Sequence, residues 1–151
     1  MKNINFVCTG NICRSAMAHV YLQKKLYDMN KQDEVIVNSC GTRAYTGDKI
    51  TDFAVKAIGE YGVDGKNHRA TNIRSSDILS ADIVLCMTTA HKRDVLSIYP
   101  QLEGKVFTLK EYVSKDNEYN DIDDPWGYSL DIYKKCAKEI VECIDKLIQT
   151  L

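Results

Sequence analysis

Apolar positions along this chain switch between two periods. Short apolar, β-branched runs at residues 4–8 (INFVC), 34–40 (EVIVNSC), 81–87 (ADIVLCM) and 105–109 (KVFTL) predict four strands. The third run is nearly continuous, which predicts burial on both faces of a sheet. Between the runs the spacing becomes helical. Ala18, Leu22, Leu26 and Met29 predict a helix starting at Ser15, and Thr51 as N-cap with Gly62 as stop brackets a shorter one. Residues 88–100 (TTAHKRDVLSIYP) are predicted to be helical up to Pro100. The strongest helical pattern is 129–151, where Leu130, Tyr133, Ala137, Ile140, Val141, Ile144, Leu147, Ile148 and Leu151 form one apolar face. Residues 110–127, poor in apolar side chains and rich in Asp, Asn and Tyr, predict a long surface loop.

Strands alternating with helices predict an α/β fold, a parallel sheet flanked by helices on both faces, with ligands at the carboxyl ends of the strands. The 151 residues, 44% of them hydrophobic, are enough for one domain spanning 1–151 with a sizeable core. Twenty basic against 21 acidic residues leave a net charge of −1, which argues against nucleic acid or an anionic membrane as the main partner. Anion binding must therefore be local. No apolar run approaches a membrane span and none reads as a signal peptide, so a cytoplasmic protein is expected. The six cysteines show no paired zinc spacing and read as free thiols; Cys86, Cys136 and Cys143 fall at core positions of a strand and a helix.

The chemistry concentrates in VCTGNICRSAM, residues 7–17, between the first strand and the first helix. Successive N–H groups in such a turn converge into an anion nest, and the dipole of the following helix favours negative charge there. Gly10 permits the turn. With a phosphate in the nest, Cys8 stands at its base as a nucleophile favoured as thiolate by the N–H dipoles and Arg14. Arg14 offers a planar fork to two phosphate oxygens, Ser15 a hydroxyl to the Cys8 sulfur, and Asn11 a side-chain amide that fixes the loop. Turnover also requires a proton donor to the leaving group. Asp124, in NDIDDPWG and next to Pro125 and the only tryptophan, Trp126, is the candidate general acid and then base.

VCTGNICRS and, about 115 residues later, DDPW resemble the phosphate loop and acid loop of the low-molecular-weight protein tyrosine phosphatases. SCGTRAYTG, NHRA and LCM fall between them in the same order, so the resemblance covers essentially the whole chain. It implies a four-stranded parallel sheet, no metal and no cofactor, and a phosphocysteine intermediate on Cys8, with Arg14 binding phosphate and Asp124 as acid. Thr9, Gly10, Asn11, Ile12, Cys13 and Ser15 match the phosphate-binding turn, Ser39 and His68 its supporting network, and Tyr45 and Trp126 the aromatic walls of the pocket. Three positions depart from the pattern: Thr9 for the usual Leu, Ala16 for Pro, and Thr88 where many members have Asp. KVFTLKEYV, DPWGYSLDIYK and MTTAHK draw the chain toward a bacterial branch that includes protein-arginine phosphatases, which carry a small Thr at the position of Ile12. The bulk of Ile12 favours an aryl phosphate over a guanidinium phosphate, so the expected substrates are tyrosine-phosphorylated proteins, a tyrosine kinase among them, handled by a monomer.

A protein-arginine phosphatase of the same fold is the alternative, and three further readings stand beside it. An arsenate reductase needs a relay pair of cysteines, and Cys86 has no suitable second thiol after it. A thiol redox module has no use for Arg14 and Asp124, so a Cys8–Cys13 disulfide is expected as a redox-regulatory device only. A phosphate-binding module would keep a stable phosphocysteine and depend little on Asp124.

Overall fold

The computed structural model describes residues 2–114 and 119–151. Four parallel strands, β1 (Lys2–Cys8), β2 (Val35–Gly41), β3 (Ile83–Cys86) and β4 (Val106–Thr108), form one sheet in the order β2-β1-β3-β4. Among the described residues five α-helices accompany them: α1 (Arg14–Asp28), α2 (Asp52–Gly59), α3 (Thr89–Ile98), α4 (Leu109–Val113) and α5 (Leu130–Ile148). The expected three-layer α/β arrangement is the one observed, because β1 and β3 bury side chains on both faces. Ile4, Phe6, Cys8, Leu85 and Met87 join the larger core with α1, α2 and α5, while Val7, Val84 and Cys86 join Val95 of α3 in a second core.

The apolar faces predict these contacts well. Ala18, Tyr21, Leu22 and Leu26 of α1 are buried, as are Tyr133, Cys136, Ala137, Ile140, Val141, Cys143, Ile144 and Leu147 of α5. Caps set the helix starts. Thr51 Oγ1 accepts from Ala54 N at 3.3 Å, and Thr88 Oγ1 accepts from His91 N at 3.1 Å. Helix α2 stops at Gly59 rather than Gly62, whose φ of +78° belongs to the turn beyond it.

Two further expectations need correction. The fourth strand ends at Thr108, and Leu109, read as strand, begins α4. The loop expected from 110 therefore starts later; its residues 115–118 lie outside the described residues. The cause is a capping box: Thr108 Oγ1 accepts from Glu111 N at 3.1 Å, and the Glu111 carboxylate accepts from Thr108 N at 2.8 Å. Short 3₁₀ turns at Ile73–Ser75, Ile78–Ser80 and Pro100–Leu102 were likewise not expected.

The sheet order decides where a ligand fits. The chain leaves β1 toward β2 on one side and later crosses to β3 on the other, so the carboxyl end of β1 lies at the switch point where connections diverge. Cys8 is the last residue of β1.

Candidate active site

Between Cys8 and Arg14 the carbonyls of the turn are drawn outward by partners on four sides. Cys8 O accepts from Thr42 N at 3.0 Å, Thr9 O from Arg43 N at 2.9 Å, and Ile12 O from Thr51 N at 3.0 Å. Asn11 O accepts from His68 Nε2 at 2.9 Å. In a trans peptide the N–H opposes the C=O, so carbonyls held outward aim the following amides inward. The result is a nest of N–H groups above Cys8 at the amino end of α1. The turn also presses on β2. A Cβ at Gly41 would collide with the Thr9 carbonyl oxygen and lie 2.8 Å from Ala44 Cβ, so only glycine fits there.

Asn11 holds the turn from behind. Its φ of +56° is left-handed, a conformation that costs about 1–3 kcal/mol and persists where surroundings over-determine it. Here they do. Asn11 Nδ2 donates to Ser15 Oγ at 2.7 Å and to Ser39 Oγ at 2.9 Å, and Oδ1 accepts from Thr71 N at 2.9 Å. With the amide occupying one lone pair of Ser15 Oγ, the Ser15 O–H is free to donate to Cys8 Sγ, 2.9 Å away. Asn11 N adds a second donor to that sulfur at 3.3 Å. Ser39 is similarly left to donate to His19 Nδ1 at 2.7 Å.

Arg14 is 4% exposed and its guanidinium is only partly satisfied. Nη1 donates to Ile122 O at 3.0 Å and Nη2 lies 3.6 Å from Asp124 Oδ2, while the buried Nε has no partner among the described residues. A buried N–H left without an acceptor costs on the order of 1–3 kcal/mol, and an oxyanion in the nest would relieve that cost. Asp124 is itself oriented, accepting from Trp126 N at 3.1 Å through Oδ1. These groups open onto a cleft of about 330 Å³ lined by Cys8, Ile12, Arg14, Tyr45, Asp124 and Trp126, among others. Thr9, Gly10 and Cys13 also line it; Asn11, Ser15, Ser39 and His68 stand behind.

Comparison with known proteins fits this arrangement. The model of the family described as low molecular weight phosphotyrosine protein phosphatase matches residues 3–151. The chain belongs to that family. A protein-arginine-phosphatase of Bacillus subtilis is 40% identical over 149 residues, covering 99% of this chain and 96% of its own. The crystal structure of a low molecular weight protein tyrosine phosphatase from T. tengcongensis superposes with a TM-score of 0.91 at 41% identity, each chain covered in full. A cysteine-to-serine variant of an arginine phosphatase, solved with a phosphorylated active-site serine, gives a TM-score of 0.89 at 37% identity over 99% of this chain and 95% of that one. The protein is thus a hydrolase of the protein-phosphatase class, acting on phosphorylated protein substrates.

Within this phosphatase the structure adds residues that sequence reading passed over. Arg43, Ala44 and Asp48 line the cleft, His19 supports Ser39, Ile122 lends its carbonyl to Arg14, and His91 bonds to Thr9. Burial holds all three histidines below their ordinary range, His19 and His91 at about 4, with Arg14 the next contributor at His91; at His68 the bond to Asn11 O opposes the effect of burial. The unfolded chain titrates His19 and His91 near 6.5 and so binds more protons between about pH 6.5 and 4. Stability is therefore full above that window and is lost as pH falls through it. Each of His19 and His91 is expected to contribute a loss on the order of 2 kcal/mol between about pH 7 and pH 5. Urea unfolding at the two pH values checks this, and His19→Gln should flatten the slope by one histidine's share.

Proposed function

We propose that this phosphatase hydrolyses phosphotyrosine through a phosphocysteine on Cys8. The observation that carries the reading is the convergence on one cleft of the Cys8 sulfur, the unpartnered Arg14 Nε and the oriented Asp124 carboxyl group. Cys8 Sγ attacks phosphorus in line with the leaving oxygen, and the inward amides with Arg14 hold the equatorial oxygens as charge spreads over them. Asp124 gives its proton to the departing phenolate, then takes one from the water that cleaves the S–P bond. The Ser15 hydroxyl stabilises the thiolate before attack and as leaving group. Ser39 and His68 act only through Asn11.

Ile12, Tyr45 and Trp126 give the cleft apolar walls that suit a phenyl ring. A phosphoguanidinium would bring N–H donors to those walls, with Asp48 and Asp124 as the carboxylates in the lining. The second reading, phosphoarginine, draws on the name of the 40% identical B. subtilis relative. Turnover of matched phosphotyrosine and phosphoarginine peptides, with chelator and with Cys8→Ser as blank, decides between them: preference for phosphotyrosine is expected, and preference for phosphoarginine would overturn the selectivity but not the mechanism.

In this reading the enzyme works as a monomer in the cytoplasm on tyrosine-phosphorylated proteins, a tyrosine kinase among them, and needs no cofactor. Among the described residues no helix is long and apolar enough to cross a membrane.

Redox control belongs to the same proposal. Cys13 shares the cleft with Cys8, its thiol 3.3 Å from Tyr133 Oη and raised in pKa by burial. Peroxide takes two electrons from the Cys8 thiolate to give a sulfenic acid, and Cys13 then attacks that sulfur with loss of water. Intact mass after mild peroxide should show loss of two hydrogens, restored by a thiol reductant; stable sulfinic acid without a bridge contradicts this.

A further inference from the structure

His91, at the start of α3, is 5% exposed and is hydrogen-bonded through both ring nitrogens. Its Nε2 lies 2.8 Å from Thr9 Oγ1 in the phosphate loop and its Nδ1 lies 2.9 Å from Thr88 Oγ1. The two threonines are two of the positions at which the sequence departs from the family's usual residues, and a leucine at position 9 could make no such bond. The departures therefore meet on one side chain.

The corner from 87 to 91 also holds the loop that carries Asp124. Met87 O accepts from Ile122 N at 2.8 Å, and Asp121 Oδ1 accepts from Thr89 N at 2.7 Å and from Thr89 Oγ1 at 3.0 Å. Ile122 O in turn receives Arg14 Nη1 at 3.0 Å. One short segment thus bonds to the phosphate loop on one side and to the acid loop on the other.

We propose that His91 is a positioning residue of this phosphatase, fixing the distance between the phosphate nest and Asp124 through the Thr9–His91–Thr88 link. The inference rests on the roles given to Cys8 and Asp124 above. A loosened link leaves the phosphate still bound by the amides and Arg14 but lets the acid drift from the leaving oxygen. Loss of the link therefore lowers kcat more than it raises KM, and it slows leaving-group release most where the leaving group needs a proton, while the water step slows alike for all substrates.

The test is a double-mutant cycle with Thr9→Val, which keeps shape and removes the hydroxyl, and His91→Leu, assayed on phosphotyrosine peptide and on para-nitrophenyl phosphate, whose leaving group departs without help. In a single turnover each single variant should lose about tenfold in the rate of leaving-group release from the peptide, the scale of one hydrogen bond, and much less in the nitrophenol burst from the ester. The double variant should be no worse than the poorer single, and His91→Gln, whose amide can reach Thr9, should recover part of the loss. Losses that add, that are equal on both substrates, or that are absent in Thr9→Val overturn the proposal. If His91→Leu fails to fold, Thr9→Val and His91→Gln with the two substrates still decide it. Wild-type activity that survives Cys8→Ser would instead strike at the underlying mechanism.

Discussion

Exchange of Cys8 for serine removes turnover, by roughly 10⁴-fold or more, and leaves oxyanion binding in place. At neutral pH a serine hydroxyl holds its proton, and the two donors aimed at the sulfur, Ser15 Oγ at 2.9 Å and Asn11 N at 3.3 Å, stabilise a thiolate rather than create an alkoxide. Binding survives because it comes from elsewhere. The inward amides are fixed by carbonyl partners at Thr42, Arg43, Thr51 and His68, and Arg14 is held by Ile122. Trp126, the single tryptophan and part of the cleft wall, reports occupancy by its fluorescence. Titration with inorganic phosphate should give similar curves for both proteins, while initial rates on aryl phosphate separate them. Substantial residual turnover in the variant would remove Cys8 from the mechanism.

The second large effect is at Asp124. Asp124→Ala should lower kcat on phosphotyrosine peptide by about 10²–10⁴-fold with KM little changed, since the carboxyl group meets the substrate only as its leaving oxygen gains charge. The geometry supports a group held in place rather than one wandering in solvent: Oδ1 takes Trp126 N at 3.1 Å and Oδ2 stands 3.6 Å from Arg14 Nη2. Asp124→Asn keeps an acceptor for Trp126 N and should lose as much, which separates proton transfer from loop anchoring. Equal rates for Asn and wild type would show that another group supplies the proton.

Much of this was readable from the chain, and the reasons differ by element. β3 announced itself because both faces are covered, which forces the continuous apolar run IVLC, and β1 did so through INFVC, interrupted only by the buried Asn5. Helix α5 did so through a single long apolar face. Helix α4 was hidden by its length of five residues, too few to show a period, although Thr108 and Glu111 carry the spacing of a capping box. At the site, Cys8, Arg14 and Asp124 were named from chemistry and the fold brings all three to one cleft. The Ile122 carbonyl that holds Arg14 was invisible because every residue has one. His91 was missed for a different reason: within TTAHKRD it reads as part of a polar helix face, and only the tertiary approach of Thr9 makes it buried and paired.

A phosphocysteine on Cys8 is the centre of the account, and one measurement addresses it directly. Asp124→Ala is mixed with para-nitrophenyl phosphate, quenched in acid within a turnover, and examined by intact mass and peptide mapping. The leaving group departs without an acid while the water step lacks its base, so the protein should accumulate one phosphoryl group per chain, on Cys8, with a matching burst of nitrophenol. A phosphoryl group on any other residue, or turnover with none bound to the protein, would contradict it.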